Sequence, residues 1–81
     1  MRVRVLAFAR VAEILGWTRS EIELSAGSGT DDLWQRLVTA APALAPLADS
    51  TRIARNGRVV MKAEPLAQDD EIALLPPAGG G

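Results

Sequence analysis

The sequence predicts an α+β fold: an open mixed sheet with one helix laid across one face. Three observations lead there. Short apolar alternations recur at both ends of the chain, from Val3 to Ala9 and from Glu71 to Leu75. A single well-formed amphipathic stripe, Leu33, Trp34, Leu37, Val38 and Ala41, lies between them. Asn56-Gly57 sits between two β-prone runs, a strong hairpin signal because both central residues of a type I′ turn need positive φ.

The elements follow in order. Residues 3–9 alternate as a strand, with Val3, Val5 and Ala7 on one side and Arg4, Leu6 and Phe8 on the other. The second set turns apolar toward its end, as a strand covered on both faces or by a partner would. Val11, Ile14 and Leu15 then fall at helical spacing and Gly16 closes a short helix over 10–15. So short a helix is marginal alone, and Trp17 is the residue to pin it to the core. Residues 20–24 place Ile22 and Leu24 inward with Glu21 and Glu23 outward, a half-buried strand.

The loop over 25–29 carries two glycines but no Lys-Ser/Thr pair after them, so it is not a phosphate cradle. The long helix runs from Thr30 to Ala41, with Thr30 expected as N-cap and Asp31 and Asp32 at the positive end of the macrodipole. Pro42 stops it. The Ala- and Pro-rich stretch over 42–50 reads as a loop with at most a short helical turn. The hairpin strands span 51–55 and 58–61, Glu64-Pro65-Leu66 bends, Asp69-Asp70 turns, and the last strand spans 71–75. The long helix is the natural right-handed crossover between the first hairpin and the later strands. At this length the commonest such arrangement is the β-grasp, or ubiquitin-like, fold. The expected organisation is one β-grasp domain over residues 1–75 and a flexible Gly-rich tail over 76–81.

Composition narrows the function. The chain has 81 residues, 48% hydrophobic and 23% charged, which suits one globular domain and not a disordered chain. It has no cysteine and no histidine. Disulfides, triads built on His, thiol catalysis and iron–sulfur or haem ligation through those residues are excluded. A zinc site of carboxylates alone would be unusual, so no metal site is expected. The formal net charge of −1 gives no basic excess for nucleic acid; the local cluster Arg52, Arg55 and Arg58 reads as a solvated strand face. No apolar run reaches the ~18–20 residues of a membrane span, and Arg10 breaks the first apolar stretch too early for a signal peptide. A cytoplasmic protein is expected.

The tail carries the chemistry that the side chains lack. Pro76-Pro77 stops sheet pairing and favours an extended exit, and Gly79, Gly80 and Gly81 follow with no side chains. Six extended residues reach at most about 20 Å. Such a tail can thread a narrow channel, and the Gly81 carboxylate is uncrowded enough for an enzyme to activate as an acyl adenylate.

With these residues in view the chain resembles the small subunit of molybdopterin synthase, a family of ubiquitin-like sulfur carriers. The likeness runs through 5–9 to Glu13 and Gly16, through Arg55-Asn56-Gly57 with Val59-Val60, and through Pro65-Leu66, Asp70-Glu71, the strand 72–75, Pro76-Pro77 and Gly80-Gly81. It covers essentially the whole chain. The resemblance implies that an E1-like enzyme uses ATP to adenylate Gly81, that a sulfur donor makes a thiocarboxylate, and that the tail (Gly79, Gly80, Gly81) enters the large synthase subunit to give sulfur to the pterin precursor. It implies a partner face at Phe8, Val59 and Leu75, with no bound cofactor, nucleic acid or membrane. Ala12 stands where many members have a basic residue, Asp69 where a turn glycine is common, and Gly79 where Ser, Thr or Ala is usual.

Two other readings share the fold. One is a sulfur carrier for thiamine or tRNA thiolation, or a ubiquitin-like protein modifier. The other is a non-catalytic β-grasp binding module, for example one that touches RNA.

Overall fold

The computed structural model describes residues 1–61 and 63–77. Five strands and two α-helices are present: β1 (Arg2–Ala7), α1 (Ala9–Leu15), β2 (Arg19–Glu23), α2 (Thr30–Ala40), β3 (Arg52–Arg55), β4 (Arg58–Val60) and β5 (Glu71–Leu75). A 3-10 helix, Pro42–Leu47, follows α2. The strands form one mixed sheet in the order β2-β1-β5-β3-β4. β1 and β5 are parallel at its centre; the other pairs are antiparallel. This is the β-grasp architecture expected from the element order.

Register sets the two faces. Val5 pairs with Ile72, Ala7 with Leu74 and Ile53 with Leu74, so Val3, Val5, Ala7, Ile72 and Leu74 share the helix-side face and are buried. Leu33 and Leu37 of α2 close over them, as the sequence stripe requires. Val11 of α1 and Leu44 of the 3-10 helix complete the core, both fully buried. The stretch after Pro42 is therefore more than a loop, because Leu44 is a core residue. Trp17 packs against the core as expected.

Two local expectations change. Thr30 is not the cap of α2; Gly29 is, with its N–H donating to the Asp32 carboxylate at 2.8 Å. A Cβ on Gly29 would lie 3.1 Å from the carbonyl oxygens of Ala63 and Glu64, so glycine occupies the boundary and the helix begins at the next residue. Thr30 is buried and stitches the segment after β4 to the helix. Its hydroxyl accepts from the Glu64 N–H at 3.2 Å and donates to the Met61 carbonyl at 3.4 Å.

The second change concerns the arginines. Arg55 and Arg58 turn to the helix-side face and Arg52 to the outer face, so they form no common patch. Arg55 pairs with Asp70 at 2.7 Å and Glu64 at 3.3 Å, and Arg58 with Glu64 at 3.3 Å. The hairpin turn itself is as expected, with Asn56 at φ 50 and Gly57 at φ 85.

Candidate functional site: the outer sheet face beside the end of β5

Both helices lie on one side of the sheet, so the other face meets solvent. A face so exposed ordinarily alternates polar residues outward. Here only one end does. Arg2 pairs with Glu23 at 3.2 Å and Glu21 at 3.7 Å, and Arg4 sits in register between Glu21 and Glu71. Toward the C-terminal ends of β1 and β5 the face turns apolar. Leu6 is opposite Ala73, Ala73 opposite Ala54, and Ala54 opposite Val59. Leu75 comes next along β5, opposite Arg52.

Phe8 extends this patch. It caps α1 in extended conformation, and its carbonyl accepts from the N–H groups of Val11 and Ala12 at 3.1 and 3.3 Å. Ala9 follows at φ 47, a left-handed conformation that costs an L-residue roughly 1–2 kcal/mol. The backbone of Phe8 is thus held by the helix start while its ring is 46% exposed. Val59 is 51% exposed. These are unusual exposures for large apolar side chains adjoining a common face.

Of the three expected partner residues, Phe8 and Leu75 come together: Ala7 pairs with Leu74 in the parallel ladder, so the next residues of both strands lie at one level. Val59 lies two strands from β5, joined to it across Ala54 and Ala73. The sequence placed Leu6 and Ala73 on this face without giving them a role, and did not bring Ala54 to it. Their contribution depends on register between strands remote in sequence, for which no local signal exists. The expected tail residues Gly79, Gly80 and Gly81 lie outside the described residues; Pro76 is half-buried and Pro77 exposed where the chain leaves β5.

A groove of about 610 Å³ lies between α2 and the β3–β4 hairpin, lined by Trp34, Gln35, Ile53, Val60 and Met61. Asp31, Arg52 and Val59 also border it, and among the described residues its lining holds no cluster of nucleophilic or general acid–base groups. Among the described residues no group of three or more His, Cys, Asp or Glu could hold a metal ion, and no helix is long and apolar enough to cross a membrane.

Behind the patch, Asp70 locks the turn that feeds β5. It is 6% exposed. Arg55 Nε donates to Oδ2 at 2.7 Å, Asn56 Nδ2 to Oδ1 at 2.9 Å and the Ala67 N–H to Oδ2 at 2.7 Å. Burial alone would raise the Asp70 pKa, but the hydrogen bonds from Asn56, Arg55 and Ala67 outweigh it and hold the carboxyl below its ordinary value. Asp69 beside it takes φ 68, the conformation that a turn glycine would supply.

Taken together, a five-stranded β-grasp sheet with helices on one face and an apolar patch on the other defines a protein of the ubiquitin-like class. The chain belongs to the ThiS family, whose pattern matches residues 5–81. It is 35% identical to the molybdopterin synthase sulfur carrier subunit of Chlamydomonas reinhardtii, over the full length of both chains. Small archaeal modifier protein 1 of Haloferax volcanii is 33% identical over 91% of this chain and 94% of its own. The crystal structure of SAMP1 from Haloferax volcanii superposes with a TM-score of 0.86, at 29% identity and full coverage of both chains. The fold also occurs in a complex of subunits 1 and 2 of molybdopterin-converting factor from Helicobacter pylori 26695, at a TM-score of 0.70, 24% identity and full coverage of both chains.

Proposed function

We propose that the protein is a sulfur carrier in molybdenum cofactor biosynthesis, acting as the small subunit of molybdopterin synthase. The observation that carries this reading is the apolar outer face at the end of β5, beside the exit toward the glycines, in a chain so similar along its whole length to a named sulfur carrier subunit.

The division of labour follows from what the chain lacks. With no histidine or cysteine it supplies no evident nucleophile or base. An E1-like enzyme activates the Gly81 carboxylate with ATP, releasing pyrophosphate and leaving an acyl adenylate. A persulfide sulfur of the donor attacks the acyl carbon and AMP leaves, giving an acyl disulfide. A thiol then cleaves the S–S bond, so that the thiocarboxylate is released and the donor departs as a disulfide with that thiol. The patch at Phe8, Val59 and Leu75 docks on the large synthase subunit, and Gly79, Gly80 and Gly81 carry the sulfur into its active site. The carrier binds no cofactor itself and works in the cytoplasm.

The test is the intact mass of protein purified from its own cells. A population heavier by one sulfur in place of one oxygen supports carriage of a thiocarboxylate. If only the carboxylate form is present, and the purified activating enzyme and sulfur donor produce no such shift, the proposal fails. The likeness to a small archaeal modifier protein supports a second reading, conjugation of Gly81 to lysines of other proteins. That reading expects isopeptide-linked adducts of higher mass in the same preparation.

A further inference from the structure

We propose that Arg19 and Arg52 are charge-selecting posts on either side of the β1 and β5 part of the apolar patch, and that they fit a protein partner presenting carboxylates beside an apolar centre. The inference rests on the outer sheet face being the docking surface proposed above. It adds to that surface the chemistry by which a partner is chosen.

The described part of the chain contains eight arginines, and five of them have a partner for the side chain. Arg2, Arg10, Arg55 and Arg58 form ion pairs with carboxylates. Arg36 donates to the Glu23 carbonyl at 2.7 Å. Arg4 has no ion pair or side-chain hydrogen bond among the described residues, but carboxylates, Glu21 and Glu71, stand opposite it in the ladder. Arg19 and Arg52 differ. Both are exposed, and neither has an ion pair or side-chain hydrogen bond among the described residues. Their ladder neighbours are apolar: Leu6 opposite Arg19 and Leu75 opposite Arg52.

Their placement on the face gives these free charges a meaning. The strand order β2-β1-β5-β3-β4 sets them on either side of the β1 and β5 part of the patch, three strand spacings or about 14 Å apart across the strands, with Val59 one strand beyond Arg52. Leu6, Phe8, Ala73 and Leu75 lie between. On the Arg19 side a shallow hollow is framed by Leu6, Phe8, Ala12 and Thr18. At that separation the two cations are beyond the Debye length of about 8 Å at physiological salt, so they repel each other little in the free protein. The far end of the same face is internally neutralised by Arg2, Glu21 and Glu23. The unmatched charge of the sheet is therefore concentrated around its apolar end.

A partner with acids at both flanks gains steering at long range and forked hydrogen bonds on contact. A partner with lysines there meets like charges and is refused. Two arginines on a chain of net charge −1 are too few for a phosphate backbone, which places the complementary charge on a protein.

The experiment uses the full chain and the purified large subunit of molybdopterin synthase from the same cells. Association and dissociation rates are measured across a series of salt concentrations for the parent, Arg19→Glu with Arg52→Glu, and Phe8→Asp, with a melting curve for each. The parent should associate more slowly as salt rises. The doubly reversed variant should associate about tenfold more slowly at low salt, show the opposite dependence by speeding up as salt rises, and melt near the parent temperature. Phe8→Asp should act mainly on dissociation. Equal association rates for the parent and the doubly reversed variant at low salt, with binding lost in Phe8→Asp, would overturn the posts and leave the docking face standing. If Phe8→Asp also binds like the parent, the face itself is wrong and the posts fall with it. If the large subunit does not bind the parent at all, the sulfur-carrier reading fails first and takes this inference with it.

Discussion

Asp70 shows how one side chain can hold a functional surface in place. Its carboxylate gathers donors from β3, from the hairpin turn and from the turn before β5, while Asn56 Oδ1 accepts from the Glu71 N–H at 2.9 Å. The network fixes where β5 starts, and so where it ends. Because its pKa is lowered in the fold, Asp70 contributes stability that is fully present above the unfolded value of about 3.9 and is lost as pH falls through the lower folded value. Asp70→Asn should therefore lower stability at pH 7 by about 1–3 kcal/mol, since it mismatches a donor-rich site. Melting curves of parent and variant from pH 7 to pH 2 should converge below about pH 4. A gap that stays constant over that range would show that the charge is not what matters. At Gly29 the constraint is space. Gly29→Ala would bring a methyl to 2.9 Å from the Asp31 carboxylate and 3.1 Å from two carbonyl oxygens. Crowding of this kind costs typically 1–3 kcal/mol, readable as a lower melting temperature.

At the scale of elements, α2 and the 3-10 helix are the two lids of the core. Leu37 is 4% exposed and Leu44 fully buried. Leu37→Ala and Leu44→Ala should each cost about 2–5 kcal/mol in denaturant titrations. A near-neutral Leu44→Ala would return the stretch after Pro42 to the status of an ordinary loop. The apolar stripe of α2 was legible in the sequence because helical spacing is local. The weight carried by Leu44 was not, because a six-residue 3-10 segment with two prolines has no periodicity to reveal its buried side. The cap of α2 was misplaced by one residue for a related reason. Thr30 is a good cap by residue type, but the approach of the Ala63 and Glu64 carbonyls decides the boundary, and those atoms come from thirty-odd residues away.

For the whole molecule, docking, tail chemistry and folding should separate. Leu75→Asp should weaken binding to the large subunit by a few kcal/mol, as loss of a central apolar anchor does, measured by calorimetry on the purified subunits. Unchanged affinity would remove Leu75 from the interface. Gly80→Val should leave the melting temperature near that of the parent, since a terminal segment beyond the last strand adds little to folding. It should impair adenylation or sulfur transfer, because a β-branched side chain stiffens and widens the segment proposed to enter a partner. Leu37→Ala should do the reverse, melting early while its folded fraction still carries sulfur. Early melting of Gly80→Val would mean that the glycines are part of the folded domain; normal melting with normal transfer would leave them without their proposed purpose.

Short-range patterns in the chain encode its elements. Period-two alternation marked β1, β2 and β5; the 3.6-residue stripe marked α2; Asn56-Gly57 marked the hairpin. The apolar character of both faces of β1 and β5 already pointed at Phe8 and Leu75 as a surface needing cover, and the missing cysteine and histidine turned attention to the Gly81 carboxylate as the proposed carrier. Only the tertiary structure decided which strands neighbour which. Laying β5 parallel to β1 and between β1 and β3 put Phe8 beside Leu75, split Arg52 from Arg55 and Arg58, and left Arg19 and Arg52 without a side-chain partner among the described residues. These are outcomes of register, and register is set by burying one face of every strand at once, a condition that no single segment of the sequence contains.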